Sequence, residues 1–453
     1  MAAFATGLAM KWLLAVAGGL VAATSLAGAA DLPAEQLEDF EVARLLPATT
    51  RTEKGWTATF ASEARYFSWK SDRGFPPGSS PDVRGRGSQL YVPFAAQLVV
   101  RPNDDFKFEL LGRGGWVHAR QSTSGFSGEI STFTDTQVSS TVTYYGFNGI
   151  QPFVALSLNA PTGKSSLSPG EVRARMDSDL VDVASFGEGW NIGPTIGFTR
   201  PITENLVATV SVGYTRRGTF TREGSPSPSN PAVQAPVKLD PGDVITGTVS
   251  IGYQVGQLAG KITGSVSGET DTKVDGARLF RPGMRFLASG TWSYTWPEIW
   301  GVTTLTASAS HARKNKVLFV DMTTLAPVVY DTEPFNSNSN LYRVGLEHLF
   351  PLGQLWLGPT GSFLYRDKNG YDSETLQFVP AKERSSAGVL ARYAANERVT
   401  FNARAEHVWT HQHDSTGAST SLLLVPPALL PVPGVEAVSS TGWQFAGGAN
   451  VRF

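Results

Sequence analysis

An apolar residue at every second position, in segment after segment from Trp56 to Phe453, is the feature that most limits what this chain can fold into. Side chains of a strand point alternately to its two faces, so each such segment reads as a strand with one apolar and one polar face. "WTATFASEARYFSW" places Trp56, Ala58, Phe60, Ala64 and Tyr66 on one face, and Thr57, Thr59, Glu63 and Arg65 on the other. "QLYVPFAAQLVV" aligns Leu90, Val92, Phe94, Ala96, Leu98 and Val100. "FKFELLGRGGW" sets Phe106, Phe108 and Leu110 against Lys107, Glu109 and Arg113. "LVATVSVGYTR", "MRFLASGTWSYTW" and "VTFNARAEHVW" follow the same rule. Helical periodicity is nearly absent after residue 50, and no apolar run reaches the roughly 18 residues of a membrane helix. The length would allow two or three soluble domains, yet no linker divides it.

The connections between these segments alternate in length. Short ones fall at "RPNDD", "GFNGIQ", "RPITEN", "QVGQ", "PEIWG", "PLGQ" and "AANE". Long ones cover 70–87, 124–130, 160–188, 218–242, 269–283, 312–340, 366–384 and 412–437. Short periplasmic turns with long extracellular loops are the asymmetry of a bacterial transmembrane barrel. The pattern predicts an all-β fold, a single antiparallel transmembrane β-barrel over 56–453 with about 16 strands, within 14–18. The soluble alternative is a large β-sandwich or propeller, and no 40–50-residue blade repeat supports the propeller.

The N-terminus agrees with export. Lys11 precedes "WLLAVAGGLVAATSL", and "AGA" at Ala27 to Ala29 has the small-x-small form of a cleavage site. Residues 1–29 are predicted to be a secretory signal peptide. Residues 30–55, acidic with room for one short helix, are predicted to be a periplasmic extension or a segment tucked into the lumen. The chain has no cysteine, which excludes a lipoprotein anchor, disulfides and thiolate metal sites. Its net charge of -1 gives no footprint for nucleic acid. The expected location is the Gram-negative outer membrane. The expected partners are outer-membrane lipid and lipopolysaccharide, the barrel-assembly machinery and a small-molecule solute.

The terminal strand carries its own signal. In "GWQFAGGANVRF", Trp443, Phe445, Gly447, Ala449, Val451 and Phe453 share one parity. An apolar alternation ending in phenylalanine resembles the C-terminal assembly signal of outer-membrane proteins, with Trp443, Phe445, Val451 and Phe453 as its anchors. Upstream, "ALSLNAPTGKSSL" followed by "FGEGWNIGPTIGFTRPITENLVATVSVGY" resembles the meta-pathway phenol-degradation family of outer-membrane proteins. The resemblance spans about a hundred residues. It implies a barrel that passes small, often hydrophobic compounds, and it defines no transport residues here.

Nothing in the sequence assembles into an enzyme or a cofactor site. "TGKSS" at 162–166 lacks the phosphate-loop glycine, since Leu158 stands there, and "GEGWNIG" has the wrong glycine spacing for a dinucleotide. His407, His411, His413 and Asp414 cluster in "HVWTHQHD", where a metal is one reading. His407, Trp409 and His411 share the lipid-facing parity, so an interfacial belt is the other. No metal and no cofactor is expected.

The polar faces are more informative. Glu63, Arg65, Lys107, Glu109, Arg113, Lys261, Arg285, Arg343, Glu347, Arg392, Arg404, Glu406 and Arg452 all take the inward parity and are the candidate lumen-lining charges. The set contains more cations than acids. Either these charges pair across strands and fill the lumen, or they give a water-filled channel a cationic wall that favours anions. Two outer stretches, 316–330 and 421–433, are apolar and read as hairpin extensions or as a hydrophobic capture site. The expected function is an outer-membrane channel for passive or facilitated passage of small solutes. Its rivals are a hydrophobic-compound importer of lateral-diffusion type, marked by a kinked strand or side opening, and a non-transporting barrel.

Overall fold

The computed structural model describes residues 55–453 except 73–83, 124–125, 148, 228–229, 322, 325, 433 and 435. The expected signal peptide and all but the last residue of the N-terminal extension lie outside the described residues. The alternating segments are long strands. The first six are β1 (Gly55–Ser71), β2 (Arg86–Arg101), β3 (Phe106–Thr123), β4 (Phe126–Phe133), β5 (Thr136–Tyr144) and β6 (Gln151–Ala160). A one-turn helix, α1 (Pro169–Val172), precedes β7 (Asn191–Thr203), β8 (Leu206–Arg217), β9 (Phe220–Ser227) and β10 (Asn230–Asp240). Then come β11 (Val244–Val255), β12 (Leu258–Glu269), β13 (Thr272–Val274), β14 (Ala277–Arg281), β15 (Arg285–Thr295) and β16 (Val302–Ala312). They are followed by β17 (Lys316–Asp321), β18 (Pro327–Thr332), β19 (Leu341–Leu352), β20 (Leu355–Arg366), β21 (Lys382–Ala394) and β22 (Val399–Gln412). The last four are β23 (Ala418–Ser421), β24 (Leu424–Val425), β25 (Ala428–Val432) and β26 (Val438–Arg452).

The wall is antiparallel throughout, and β26 closes it by pairing with β1 from Thr59↔Arg452 to Ser71↔Ser440. Closure matters in lipid, where no water satisfies a free backbone edge. The main sheet has 17 segments, but β4 and β5 lie end to end against β3, so the barrel has 16 strands. The short connections gather at one rim and the long ones at the other.

The outward parity carries the apolar band. Phe60 on β1, Leu156 on β6, Ile196 on β7, Val212 on β8, Leu346 on β19 and Val389 on β21 are all exposed on the outer surface. Aromatic residues border this band, as they do at both interfaces of membrane barrels. At the short-turn rim Phe106, Tyr144 and Phe147 interlock at centroid distances of 5.0 and 5.3 Å, and Tyr294 meets Trp296 at 4.6 Å. Toward the long-loop rim His407 packs on Trp409 and Trp443 at 4.4 and 4.9 Å.

The terminal strand's apolar face is on this outer surface. Trp443, Phe445 and Phe453 are exposed, Val451 shares their parity, and the Phe453 N–H donates to the Ala58 carbonyl at 2.8 Å. Deleting Phe453 removes that bond and the end of the recognised face. The expected result is a fall in heat-modifiable barrel recovered from outer membranes, with normal behaviour of the molecules that do assemble. Unchanged recovery would refute an assembly role for this residue.

Several long connections are themselves β-structure. The hairpins β9–β10, β13–β14 and β17–β18 join into a second sheet beyond the rim, in the order β18-β17-β14-β13-β10-β9. The two apolar stretches meet there, since β24 runs parallel to β17 through Val320↔Leu424 and Asp321↔Val425. They are thus hairpin extensions of the barrel. Residues 126–130, read from sequence as part of a long connection, belong instead to β4, which pairs with β3.

Candidate functional site: the lumen and its inserted loop

The connection between β6 and β7, read from sequence as an outer loop, folds into the lumen. Its apolar residues Leu167, Met176, Leu180, Val183 and Phe186 are buried in one cluster with inward-facing Phe67, Trp69, Tyr91, Val117, Ile130, Val408 and Val438. Burial of this much apolar surface on a barrel's inner wall is itself a reason for the loop to stay inside. Gln89 fixes it by two bonds: its amide nitrogen donates to the Val183 carbonyl at 2.7 Å, and its amide oxygen accepts the Val183 N–H at 3.0 Å.

The base of the loop is gathered by Asp135, in the break between β4 and β5. Its carboxylate accepts the Gly163 N–H at 2.9 Å, the Glu188 N–H at 2.7 Å and the Asn159 side-chain amide at 2.8 Å. Both legs of the loop therefore start from one carboxylate. They approach so closely that a Cβ on Gly163 would lie 1.9 Å from the Phe186 carbonyl oxygen. Only glycine fits that crossing.

The far end is held by charge. Lys382 on β21, with no exposed side-chain surface, bonds Asp177 and lies 3.2 Å from Asp179. Arg366 on β20 meets the same Asp179 at 2.7 Å, and Arg384 donates to the Asp179 carbonyl at 3.3 Å. Burial pushes the Asp177 carboxyl up, but the neighbouring Lys382 and Arg366 charges and the hydrogen bond from Lys382 outweigh it and hold it below its ordinary value. At the outer edge, Arg175 pairs with Glu223 and Glu188 meets Arg217 at 3.3 Å.

Inside the barrel the loop leaves a cavity of about 560 Å³. Its lining brings Arg65, Arg113, Arg343, Arg384 and Arg404 together with Asp135, Asp179, Asp182, Glu347 and Glu406. Arg65 lies 3.0 Å from Glu63 and 3.8 Å from Asp182. Arg404 bonds Glu347 and stands 3.9 Å from Glu406, which also accepts from Thr360 at 3.1 Å. Arg113 donates to Gln137 at 2.6 Å. The wall around the cavity carries both signs. Acids on the loop supply the balance.

The other inward charges lie away from the cavity. Lys107 pairs with Glu109 at 3.3 Å, and Arg285 with Glu269 at 3.4 Å. Lys261, Arg392 and Arg452 are exposed toward the short-turn rim, where Arg392 donates to Asn402 at 3.3 Å. Asp135, Asp177, Asp179, Asp182, Arg366, Lys382 and Arg384 fall in or beside long connections, where no strand parity marks them. The detectable signal was Phe67 and Trp69, two large apolar side chains at inward positions beside Arg65.

In the histidine cluster the rings of His411 and His413 pack edge to face at 5.1 Å. His411 is 3.0 Å from the Ser439 hydroxyl, and His413 is 3.6 Å from Glu383. Among the described residues no group of three His, Cys, Asp or Glu side chains comes together to hold a metal ion. Lys164 of "TGKSS" is paired with Glu171 at 2.5 Å.

No protein-family model matches the chain, and no curated protein sequence does. The resemblance of the β6–β8 region to the phenol-degradation family is therefore without independent support. Solved structures of similar architecture include three from Pseudomonas. An outer-membrane channel of Pseudomonas putida F1 is 14% identical over 65% of this chain and 96% of its own, with a TM-score of 0.35. A FadL homologue of Pseudomonas aeruginosa is 9% identical over 88% and 90%, with a TM-score of 0.39. OccK7 (OpdD) of the same species is 7% identical over 88% and 99%, with a TM-score of 0.40. Nothing about a solute follows from likeness at this level.

Proposed function

We propose that the chain is an outer-membrane channel of a Gram-negative cell that passes small solutes passively through a lumen narrowed by residues 161–190. One observation carries the reading: the inserted loop does not fill the lumen and leaves the 560 Å³ cavity lined by charges of both signs. A space of that size suits a small molecule. The paired charges favour polar or amphipathic solutes of low net charge. Folding and insertion would depend on the barrel-assembly machinery, with the short turns in the periplasm. Liposomes containing the refolded protein should swell in isosmotic arabinose and progressively less in larger saccharides. A folded, inserted barrel that admits none of these sugars would overturn the reading.

A second reading, uptake of apolar compounds through the side of the barrel, is favoured by the β4–β5 interruption. β5 pairs with β6, but β4 has no wall partner on that edge among the described residues. The inner wall beside it, at Trp69, Val117 and Ile130, is apolar. Saturable quenching by a brominated apolar probe, lost in Trp69→Phe, would favour this route over the polar one.

A further inference from the structure

Three cations stand together on the outside of the barrel. Lys70 on β1, Arg86 on β2 and Arg120 on β3 share the outward parity with Tyr66, Leu90 and Trp116. Lys70 is directly opposite Arg86, and Arg120 is directly opposite Ser88, two residues along the same strand. Directly opposed residues are about 5 Å apart and diagonal ones about 7–8 Å, so the three heads fall within reach of one ligand. All three side chains are exposed, and none forms an ion pair among the described residues.

These residues line one depression of about 960 Å³ that also takes in Tyr66, His407 and Trp443 and the hydroxyls of Ser88 and Thr441. It continues over the rim to Glu171, which is already neutralised by Lys164. The other acid is Glu129, across from Arg120, with its carboxylate 3.9 Å from His118. The depression thus keeps an excess of positive charge. It begins where the aromatic border of the apolar band ends, which is the level of lipid headgroups. Below it Leu90, Trp116 and Phe445 offer an apolar wall for acyl chains.

We propose that Lys70, Arg86 and Arg120 form a binding site for the phosphorylated glycolipid of the outer leaflet, with the lipid A phosphates on the three cations and the acyl chains along β1–β3. This rests on the outer-membrane reading above and specifies a site for one lipid. The arginines suit phosphate because their planar forks present paired donors to its oxygens. The hydroxyls of Ser88 and Thr441 are placed for the sugar. A phospholipid with a single phosphate would leave part of the cluster unmatched.

Native mass spectrometry of the delipidated, refolded barrel with added bis-phosphorylated lipid A tests the site. One retained lipid is expected on the wild type. Lys70→Gln, Arg86→Gln and Arg120→Gln together should weaken retention about a hundredfold, from the contribution of each basic residue near an anionic surface. Monophosphorylated lipid A should bind less well, and millimolar inorganic phosphate should not displace the lipid. Equal retention by the triple variant, or displacement by free phosphate, would overturn the proposal. Insertion into phosphatidylcholine vesicles is measured in parallel. If both proteins insert and neither retains lipid A, the site is wrong and the membrane reading stands. If neither inserts, both fall.

Discussion

Replacing Lys382 with alanine should release residues 176–186 from the lumen while the barrel stays closed. Lys382 is fully buried and is the cation on Asp177, whereas Asp179 keeps Arg366 at 2.7 Å. Removing one partner of a buried pair costs up to about 3–5 kcal/mol, less here because Asp177 is partly exposed and keeps the Arg366 charge nearby. The 16-strand wall does not depend on that pair, so the loss should be local. Hydrogen exchange at the Val183 N–H, bonded to Gln89, should speed up by two or more orders of magnitude. Wall amides such as Val408 should keep their protection. Acid should do little by comparison. Asp177 titrates below its ordinary value, so its stabilisation is present above the unfolded carboxylate pKa of about 3.9 and is lost only as pH falls through the lower folded value. Moving from pH 7 to pH 5 should therefore leave the loop's exchange unchanged. Equal protection of Val183 in Lys382→Ala and wild type would mean that the apolar contacts alone hold the loop.

Arginine at Val210 should be the most damaging single change on the barrel's outer surface. Val210 faces outward at the middle of β8, between Phe198 on β7 and Val249 on β11. A charged side chain at the bilayer midplane of a barrel costs about 2–4 kcal/mol. Ser211, the next residue, faces inward between Gly197 and Thr248, where small neighbours leave room. Ser211→Arg should cost well under half as much. Urea-driven unfolding from phosphatidylcholine vesicles measures both. Equal losses would show that the assignment of faces, or the membrane itself, is wrong.

The wall was readable because its rule is local. Alternation along "LVATVSVGYTR" sets Val210 out and Ser211 in with no knowledge of the neighbours, and short turns such as "RPNDD" mark one rim. The loop from 161 to 190 obeys no such rule. Its apolar residues have no period, because they match an irregular inner surface built from β1, β2, β3, β4, β22 and β26. Its acids find partners far away in sequence, with Asp177 and Lys382 separated by 205 residues and Asp179 and Arg366 by 187. Counting charges on strands alone therefore leaves out the acids that the loop brings to the cavity. The break at Asp135 was also hidden, since "STFTDTQVSS" has the composition of an ordinary strand end. Phe67 and Trp69 were the legible trace of the loop, because an inward Trp needs something to pack against.

Residues 161–190 should narrow the lumen and leave it passable. Single-channel recording in planar bilayers tests it most directly, on the wild type and on a variant in which residues 164–187 are replaced by a short Gly-Ser linker. The wild type should open in small, discrete steps with weak ion selectivity, as expected where Arg65, Arg384 and Arg404 face Asp182, Glu347 and Glu406. The shortened variant should conduct several-fold more, because a 16-strand barrel without its inserted loop has an aqueous bore. Equal conductance in the two proteins, or silence in both with the barrel folded and inserted, would contradict it.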